Sequence, residues 1–179
     1  GGVVEGADHI IFCTGYRYDF PFLSGGREVT VDNNMITPLY LQMFPPSHPS
    51  MAFVGLPAKI VPFPQFELQA RFAAMVWSGR VRLPSEEDMM RDIDREIQEK
   101  ARQGRPQKYF HVLGGAQFAY NDMLSERTSS HPLPLWRQLM YEDSGRAKRD
   151  RPWDYRDAPL ASLEHYERLA AEISGQPHR

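Results

Sequence analysis

Residues 51–71 have the sequence Met-Ala-Phe-Val-Gly-Leu-Pro-Ala-Lys-Ile-Val-Pro-Phe-Pro-Gln-Phe-Glu-Leu-Gln-Ala-Arg. The first four residues are apolar and end at Gly55, which favours a short strand. Residues 55–64 are interrupted by prolines yet mostly apolar, so they predict a connection that is buried against something. A helical spacing of apolar residues follows over residues 65–78, with few polar positions, and Gly79 ends it. The pattern therefore predicts a strand, a buried loop and a largely buried helix.

A second apolar stretch, Ala-Asp-His-Ile-Ile-Phe-Cys-Thr-Gly-Tyr, occupies residues 7–16. Its core, residues 10–13, is a continuous apolar run closed by Gly15, which is typical of a parallel strand buried on both faces. Further extended stretches are expected over residues 39–43 and, more weakly, 28–31. The first third is therefore predicted to be strand-rich, and the fold class to be α/β.

The remainder of the chain has helical patterns. Ser85, followed by three acidic residues, predicts a capped helix that Gly104 closes. Three more helices are predicted over residues 117–127, 133–142 and 160–174. The short basic cluster at residues 146–151 indicates a solvated loop. Because the character changes near residue 82, two parts are expected, 1–82 and a helical extension, 83–179.

Composition excludes several classes of protein. The 179 residues carry a formal net charge of −2, which offers no broad attraction for nucleic acid. The single cysteine, Cys13, excludes an internal disulfide and a Cys-x-x-Cys redox pair. No His-Glu-x-x-His, zinc-ligand spacing or Gly-x-Ser-x-Gly occurs, so no metal site is expected. No apolar run approaches the roughly 20 residues of a membrane span, and we expect a cytoplasmic protein, or one attached to a membrane through a segment not in this sequence.

The tripeptide Thr14-Gly15-Tyr16 is a candidate ligand contact, because open α/β sheets bind ligands at the carboxyl ends of their strands. The alternative is an ordinary turn in which Gly15 supplies a positive φ. The surrounding Phe-Cys-Thr-Gly-Tyr resembles the Phe-Ala-Thr-Gly-Tyr motif of flavin-containing monooxygenases. Residues 51–71 and 78–87 are also similar to segments of that family, in the same order, as are Pro38-Leu-Tyr and Phe44-Pro-Pro. The resemblance covers most of residues 7–125.

The resemblance implies the C-terminal part of a Rossmann-like flavoprotein with two dinucleotide-binding domains. In that family NADPH reduces FAD, O2 adds to give a C4a-hydroperoxyflavin, and a small soft nitrogen or sulfur nucleophile is oxygenated. The cofactor carries most of this chemistry. No Gly-x-Gly-x-x-Gly occurs here and the first residue is Gly, so we expect a fragment that is inactive by itself.

The resemblance also implies which residues contact the cofactors, although it identifies no catalytic residue. Gly55 would allow close approach of the backbone, or would simply be a turn glycine. Lys59 would donate to flavin or pyrophosphate oxygens, or would be a surface lysine. Gln69 would bond the flavin pyrimidine, or would satisfy a neighbouring backbone group in the core. The predicted set for FAD and NADPH is Thr14, Gly15, Tyr16, Gly55, Leu56, Pro57, Lys59 and Gln69.

The sequence also bears on other functions. A Baeyer–Villiger relative is disfavoured by residues 62–71, and a disulfide oxidoreductase by the single cysteine. The alternative from another class is a non-catalytic truncated module that binds a protein partner. Its interface would be an exposed apolar face formed by Ile60, Val61, Phe63 and Phe66.

Overall fold

The computed structural model describes residues 6–23, 28–157 and 161–175, and helices are the main regular structure among them. A short hairpin precedes five helices, with two single turns of 3-10 helix between the second and third of them. None of the helices in these ranges is both long and apolar enough to cross a lipid bilayer. The elements in chain order are β1 (Thr30–Asp32), β2 (Met35–Thr37), α1 (Pro62–Trp77), α2 (Glu86–Arg102), α3 (Gln117–Arg127), α4 (Leu135–Asp150) and α5 (Leu163–Ser174).

The hairpin is antiparallel, with Val31 opposite Ile36 in its register. Its two turn residues, Asn33 and Asn34, have φ values of 45° and 61°. Positive φ at both positions matches the right-handed twist of the strands, and asparagine tolerates it better than most residues. The weak strand predicted over 28–31 corresponds in part to β1, whereas β2 was not predicted.

The prediction of a strand-rich first third is wrong for the described residues. Residues 10–13 form no strand, and Ile10, Ile11 and Phe12 are 76–84% exposed. Residues 51–54 also form no strand, and 39–43 contribute only an isolated bridge between Tyr40 and Phe44. A strand buried on both faces requires neighbouring strands and covering layers. The described residues provide neither for residues 10–13, so this apolar run pairs with no strand among them.

The helices are present where predicted, although α1 begins at Pro62 rather than at residue 65 and α4 begins at Leu135 rather than at residue 133. The Ser85 hydroxyl accepts a hydrogen bond from the Asp88 N–H at 3.1 Å and caps α2. The bounds predicted for α3 are confirmed, and α5 begins after Ser162 rather than at residue 160, which lies outside the described residues. The helix α4 extends to Asp150, so residues 146–150 are helical rather than a loop. Lysine and arginine are good helix formers, and Arg146 pairs with Asp143 one turn earlier.

The main core lies between α1, α2, α3 and the turn that precedes them. Phe44 and Phe72 meet edge to face, with ring centroids 5.9 Å apart. The core takes residues from both sides of residue 82, and the division into 1–82 and 83–179 stays a prediction. Its buried members are Tyr40, Met43, Phe44, Leu68, Phe72, Ala73, Met89, Ile93 and Leu124. The helices α4 and α5 pack on each other, and Tyr166 donates to Asp143 between them at 2.8 Å.

Two phenylalanines on α1 allow a matched test of this core. Phe72 is fully buried, whereas Phe63 is 81% exposed. We expect Phe72→Ala to lower the free energy of unfolding by about 3–5 kcal/mol, because it leaves a cavity. Phe63→Ala should change it by less than about 0.5 kcal/mol. Urea denaturation followed by circular dichroism measures both, and similar losses for the two variants would contradict the described core.

Candidate functional site

The connection between the hairpin region and α1, which we call the 55–61 segment, is anchored by hydrogen bonds to distant residues. The Gly55 N–H donates to the Gln69 Oε1 at 2.9 Å. The Leu56 carbonyl accepts from the Tyr18 hydroxyl at 3.0 Å, and the Val61 N–H donates to the Gln117 Oε1 at 2.6 Å. Loops normally leave such groups to water. Here side chains from other parts of the chain satisfy them, so the segment has a defined position.

The middle of the segment is anchored by backbone. The Ala58 N–H donates to the His111 carbonyl at 2.9 Å, and the Ala58 carbonyl accepts from the Leu113 N–H at 3.0 Å. This pair is an isolated parallel bridge between Ala58 and Val112. Residues 111–113 therefore hold the middle of the 55–61 segment, while Gln69 and Gln117 hold its two ends.

Gln69 belongs to a chain of three hydrogen bonds in the interior. Its Nε2 donates to the Tyr120 hydroxyl at 2.9 Å, and that hydroxyl donates to the Leu41 carbonyl at 2.9 Å. Burial raises the pKa of Tyr120, partly opposed by the hydrogen bond from Gln69, so the phenol stays protonated near neutral pH. Gln69 thus satisfies a neighbouring backbone group in the core, as one of the two predicted alternatives proposed.

His111 joins the segment to the hairpin and α2. The Ile36 N–H donates to its Nε2 at 2.9 Å, so the other nitrogen, Nδ1, carries the proton toward Gln42 Oε1 at 3.2 Å. Gln42 in turn donates to Glu96, which pairs with Lys100. Burial, and to a smaller extent the charge of Lys100, lowers the pKa of His111 to about 4. The histidine is therefore a neutral structural link at pH 7.

The segment ends at the N-terminus of α1, which is electrostatically open. Val61 occupies the N-cap without a side-chain hydrogen bond, and the first turn contains no acidic residue. Lys59 lies just before it with an exposed side chain. The N-terminal end of a helix carries a partial positive charge. Pro62 and Pro64 have no N–H, so Phe63 supplies the N–H within the first three helical residues. This donor and the exposed lysine suit an electronegative ligand group, such as the edge of a flavin or a pyrophosphate.

Gly55 is favoured by its backbone conformation and by a close packing contact within the chain. Its φ is +93°, and a Cβ at this position would lie 3.3 Å from the Phe66 ring. The ring belongs to α1 and lies one turn from Gln69, which binds the Gly55 N–H. Contacts within the chain thus account for a glycine at position 55. Its role in the approach of a cofactor stays a prediction.

The predicted contact residues fall into two groups. Gly55, Leu56, Pro57 and Lys59 lie in one segment, and Gln69 lies directly behind it. Residues 14–16 are exposed, and the Asn34 side chain ties the chain next to them by accepting from the Tyr18 N–H and donating to the Tyr16 carbonyl, both at 3.2 Å. Tyr18 is the connection between the groups, because its hydroxyl reaches Leu56.

Several residues that hold the site were missed from sequence. Sequence spacing gives little sign of the residues that act on the 55–61 segment from up to 65 positions away: Tyr18, His111, Gln117 and Tyr120. One signal was available: Gln117 and Tyr120 are three residues apart, on one face of a predicted helix. In the ranges that the structure describes, no group of three His, Cys, Asp or Glu side chains is arranged to hold a metal ion.

His111 predicts a pH dependence of stability. Its unfolded pKa is about 6.5, and the folded value is about 4. Between these values the unfolded chain binds a proton that the folded chain excludes, so stability falls as pH falls, by on the order of 3 kcal/mol in all. Urea unfolding at pH 7, 5.5 and 4.5 should show a shallower pH slope for His111→Gln. His48→Gln, at an exposed histidine, should keep the wild-type slope.

Alanine substitutions at Gly55 and Gly79 distinguish the cost of a steric contact from the cost of backbone strain. Both have positive φ, but a Cβ at Gly79 meets nothing within 4 Å. Gly79→Ala should cost about 1–2 kcal/mol from the left-handed conformation alone. Gly55→Ala should cost more, because the Phe66 ring must also move. Equal losses in thermal unfolding would show that the Phe66 contact is not limiting.

Comparison with known proteins places this arrangement in a family. A family model described as flavin-binding monooxygenase-like matches residues 1–145. Flavin-containing monooxygenase FMO GS-OX-like 4 of Arabidopsis thaliana is 45% identical over 157 residues, which cover 87% of this chain and 35% of the relative. FMO GS-OX-like 2 of the same plant is 44% identical over 137 residues, 75% of this chain and 30% of the relative.

A solved structure agrees with this assignment. The S-allyl-L-cysteine S-oxygenase from Allium sativum matches with a TM-score of 0.82 at 41% identity, covering 91% of this chain and 37% of that one. The chain thus spans about a third of the length of the curated relatives it matches. Because the family model covers well over half of the 179 residues, the chain belongs to the flavin-binding monooxygenase-like family.

Proposed function

We propose that this chain is the C-terminal part of a flavin-dependent monooxygenase that uses NADPH and O2 to oxygenate a soft sulfur nucleophile. Family membership supports the flavin chemistry. The observation that carries the proposal within the structure is the 55–61 segment, which is anchored at both ends and in its middle and leads into an uncapped helix N-terminus. Anchoring of this kind is what a rigid cofactor contact requires.

The residues of the segment would have separate tasks toward FAD. The open N-terminus of α1 and the Lys59 ammonium would attract electronegative atoms of the cofactor. Leu56 is buried among Val29, Ile36 and Leu39, so it would hold the segment in place behind the cofactor. FAD, once bound and reduced, supplies the activation of O2. The protein's contribution is therefore to bind and orient, and no side chain of this chain is assigned a catalytic proton transfer.

We favour sulfur over nitrogen as the atom oxygenated. A relative with 41% identity is named an S-oxygenase of S-allyl-L-cysteine, and its substrate is a thioether. The proposed reaction converts a thioether, O2, NADPH and a proton into a sulfoxide, water and NADP. The sulfur lone pair forms a bond to one oxygen atom of O2, and the two electrons from NADPH reduce the other oxygen atom to water. An amine would be oxygenated by the same balance, which leaves nitrogen as the competing substrate class.

The second candidate function is the non-catalytic module. One observation favours it: Phe63 is 81% exposed at the start of α1, and the predicted face also contains Ile60, Val61 and Phe66, which are half-buried. An apolar patch at this place would suit a protein partner. The same patch would equally be covered by other parts of a monooxygenase, so activity decides between the two functions.

The test uses the full-length protein that contains this chain, reconstituted with FAD. We expect NADPH oxidation to be stimulated by S-allyl-L-cysteine, with one sulfoxide formed per NADPH consumed, as detected by mass spectrometry. N,N-dimethylaniline serves as the amine control. A preference for the amine would contradict the sulfur assignment, and no flavin retention would contradict the enzyme reading. The 179 residues alone, which lack a Gly-x-Gly-x-x-Gly, should oxidise no NADPH in the same assay.

A further inference from the structure

We infer that Tyr120 is a positioning residue that sets the place of Gly55 and Leu56 by fixing the orientation of the Gln69 amide. The inference deepens the proposed function and rests on it, because the 55–61 segment is taken to face the flavin. Tyr120 lies on α3, 65 positions from Gly55 in the sequence. In the described part of the chain, the hydrogen bonds that join it to the segment run through Gln69.

The direction of the hydrogen bonds gives Tyr120 this role. Its hydroxyl has one proton, which goes to the Leu41 carbonyl, so toward Gln69 the oxygen can only accept. The Gln69 NH2 group must therefore face Tyr120, and the amide oxygen faces the Gly55 N–H. A rotation of the amide by half a turn would set NH2 against N–H, donor against donor. Tyr120 thus selects the amide orientation that holds Gly55.

Burial makes the selection consequential. The Gln69 side chain is fully buried, so water cannot replace a lost partner. A buried polar group without a partner destabilises the folded state. Without the Tyr120 hydroxyl, the Gln69 NH2 loses its acceptor, and the amide is free to rotate or withdraw. The N–H of Gly55 would then lose the acceptor that holds it.

The effect should be confined to the start of the segment. Ala58 is anchored by the backbone of residues 111–113, and Val61 by Gln117, and neither anchor involves Tyr120. Among the described residues the Gly55 N–H has the Gln69 oxygen as its acceptor, while Leu56 is also held by Tyr18. Because the Gly55 N–H is already occupied, the segment would act on the flavin through its position rather than through this donor.

The test compares two tyrosine hydroxyls in the full-length protein with bound FAD. Tyr120→Phe removes the acceptor for Gln69. Tyr166→Phe removes a hydroxyl that bonds Asp143 between α4 and α5, and it is the matched control. Amide hydrogen exchange at Gly55 should become about tenfold faster in Tyr120→Phe, the effect of losing one hydrogen bond. The visible circular dichroism of the flavin should shift in Tyr120→Phe and stay unchanged in Tyr166→Phe.

A second variant tests whether Tyr120 acts through Gln69. Gln69→Met removes both hydrogen bonds at nearly constant volume, and should give the same kind of shift in Gly55 exchange and in the flavin spectrum. Adding Tyr120→Phe to Gln69→Met should cause no further shift. A purely structural role would lower the melting temperature of Tyr120→Phe but leave both readouts as in Tyr166→Phe, and that result would overturn the inference.

The two proposals fail in distinguishable ways. Wild-type protein that retains no FAD would refute the proposed function. The exchange rate of the Gly55 amide would still decide the positioning role, because it is measured on the protein itself. Wild-type protein that retains FAD, with Gly55 exchange equal in the Tyr120 and Tyr166 variants, would refute the positioning role alone.

Discussion

The structure of the described residues depends on one constraint: buried backbone N–H and carbonyl groups need hydrogen-bond partners, and this fold has little β-sheet to supply them. Between β2 and α1 the chain makes few regular backbone pairs, and a buried N–H or carbonyl without a partner is costly. Side chains supply the missing partners. Two fully buried amides take part: Gln69 accepts from the Gly55 N–H, and Gln117 accepts from the Val61 N–H. The helical scaffold therefore positions the loop through its polar side chains as well as its apolar ones.

These contacts unite parts that sequence pattern assigns to separate elements. His111 links the hairpin, the middle of the 55–61 segment and, through Gln42, the helix α2. The apolar core does the same on the other side of α1, since Phe72, Met89 and Leu124 come from three helices. A substitution in α2 or α3 that alters these contacts is consequently expected to shift the 55–61 segment, which is proposed to face the flavin. The helical extension is thus part of the support for that segment.

Local signals were predictable from sequence, and long-range partners were not. The Ser85 cap, the bounds of α3 and the glycine after α5 follow from short-range rules of helix termination, and the structure has them. The apolar run at 10–13 was assigned to a strand because periodicity cannot reveal whether neighbouring strands exist. Gln69 could be recognised as a buried amide, but its partner Tyr120 is 51 positions away. Placement of the predicted contacts against a cofactor depends on tertiary geometry that no spacing rule supplies.

The side-chain amides that bind Gly55 and Val61 carry no formal charge. Their hydrogen bonds are therefore less sensitive to salt than the ion pairs on the helix surfaces. Ion pairs such as Arg71–Glu67 and Arg102–Glu99 lie in solvent, where dissolved electrolyte screens them. Hydrogen bonds from Gln69 and Gln117 lie inside the protein and are screened far less. Raising the salt concentration should weaken the ion pairs on the helix surfaces and leave the hydrogen bonds of the 55–61 segment intact. The conformation of this segment is therefore insensitive to ionic strength.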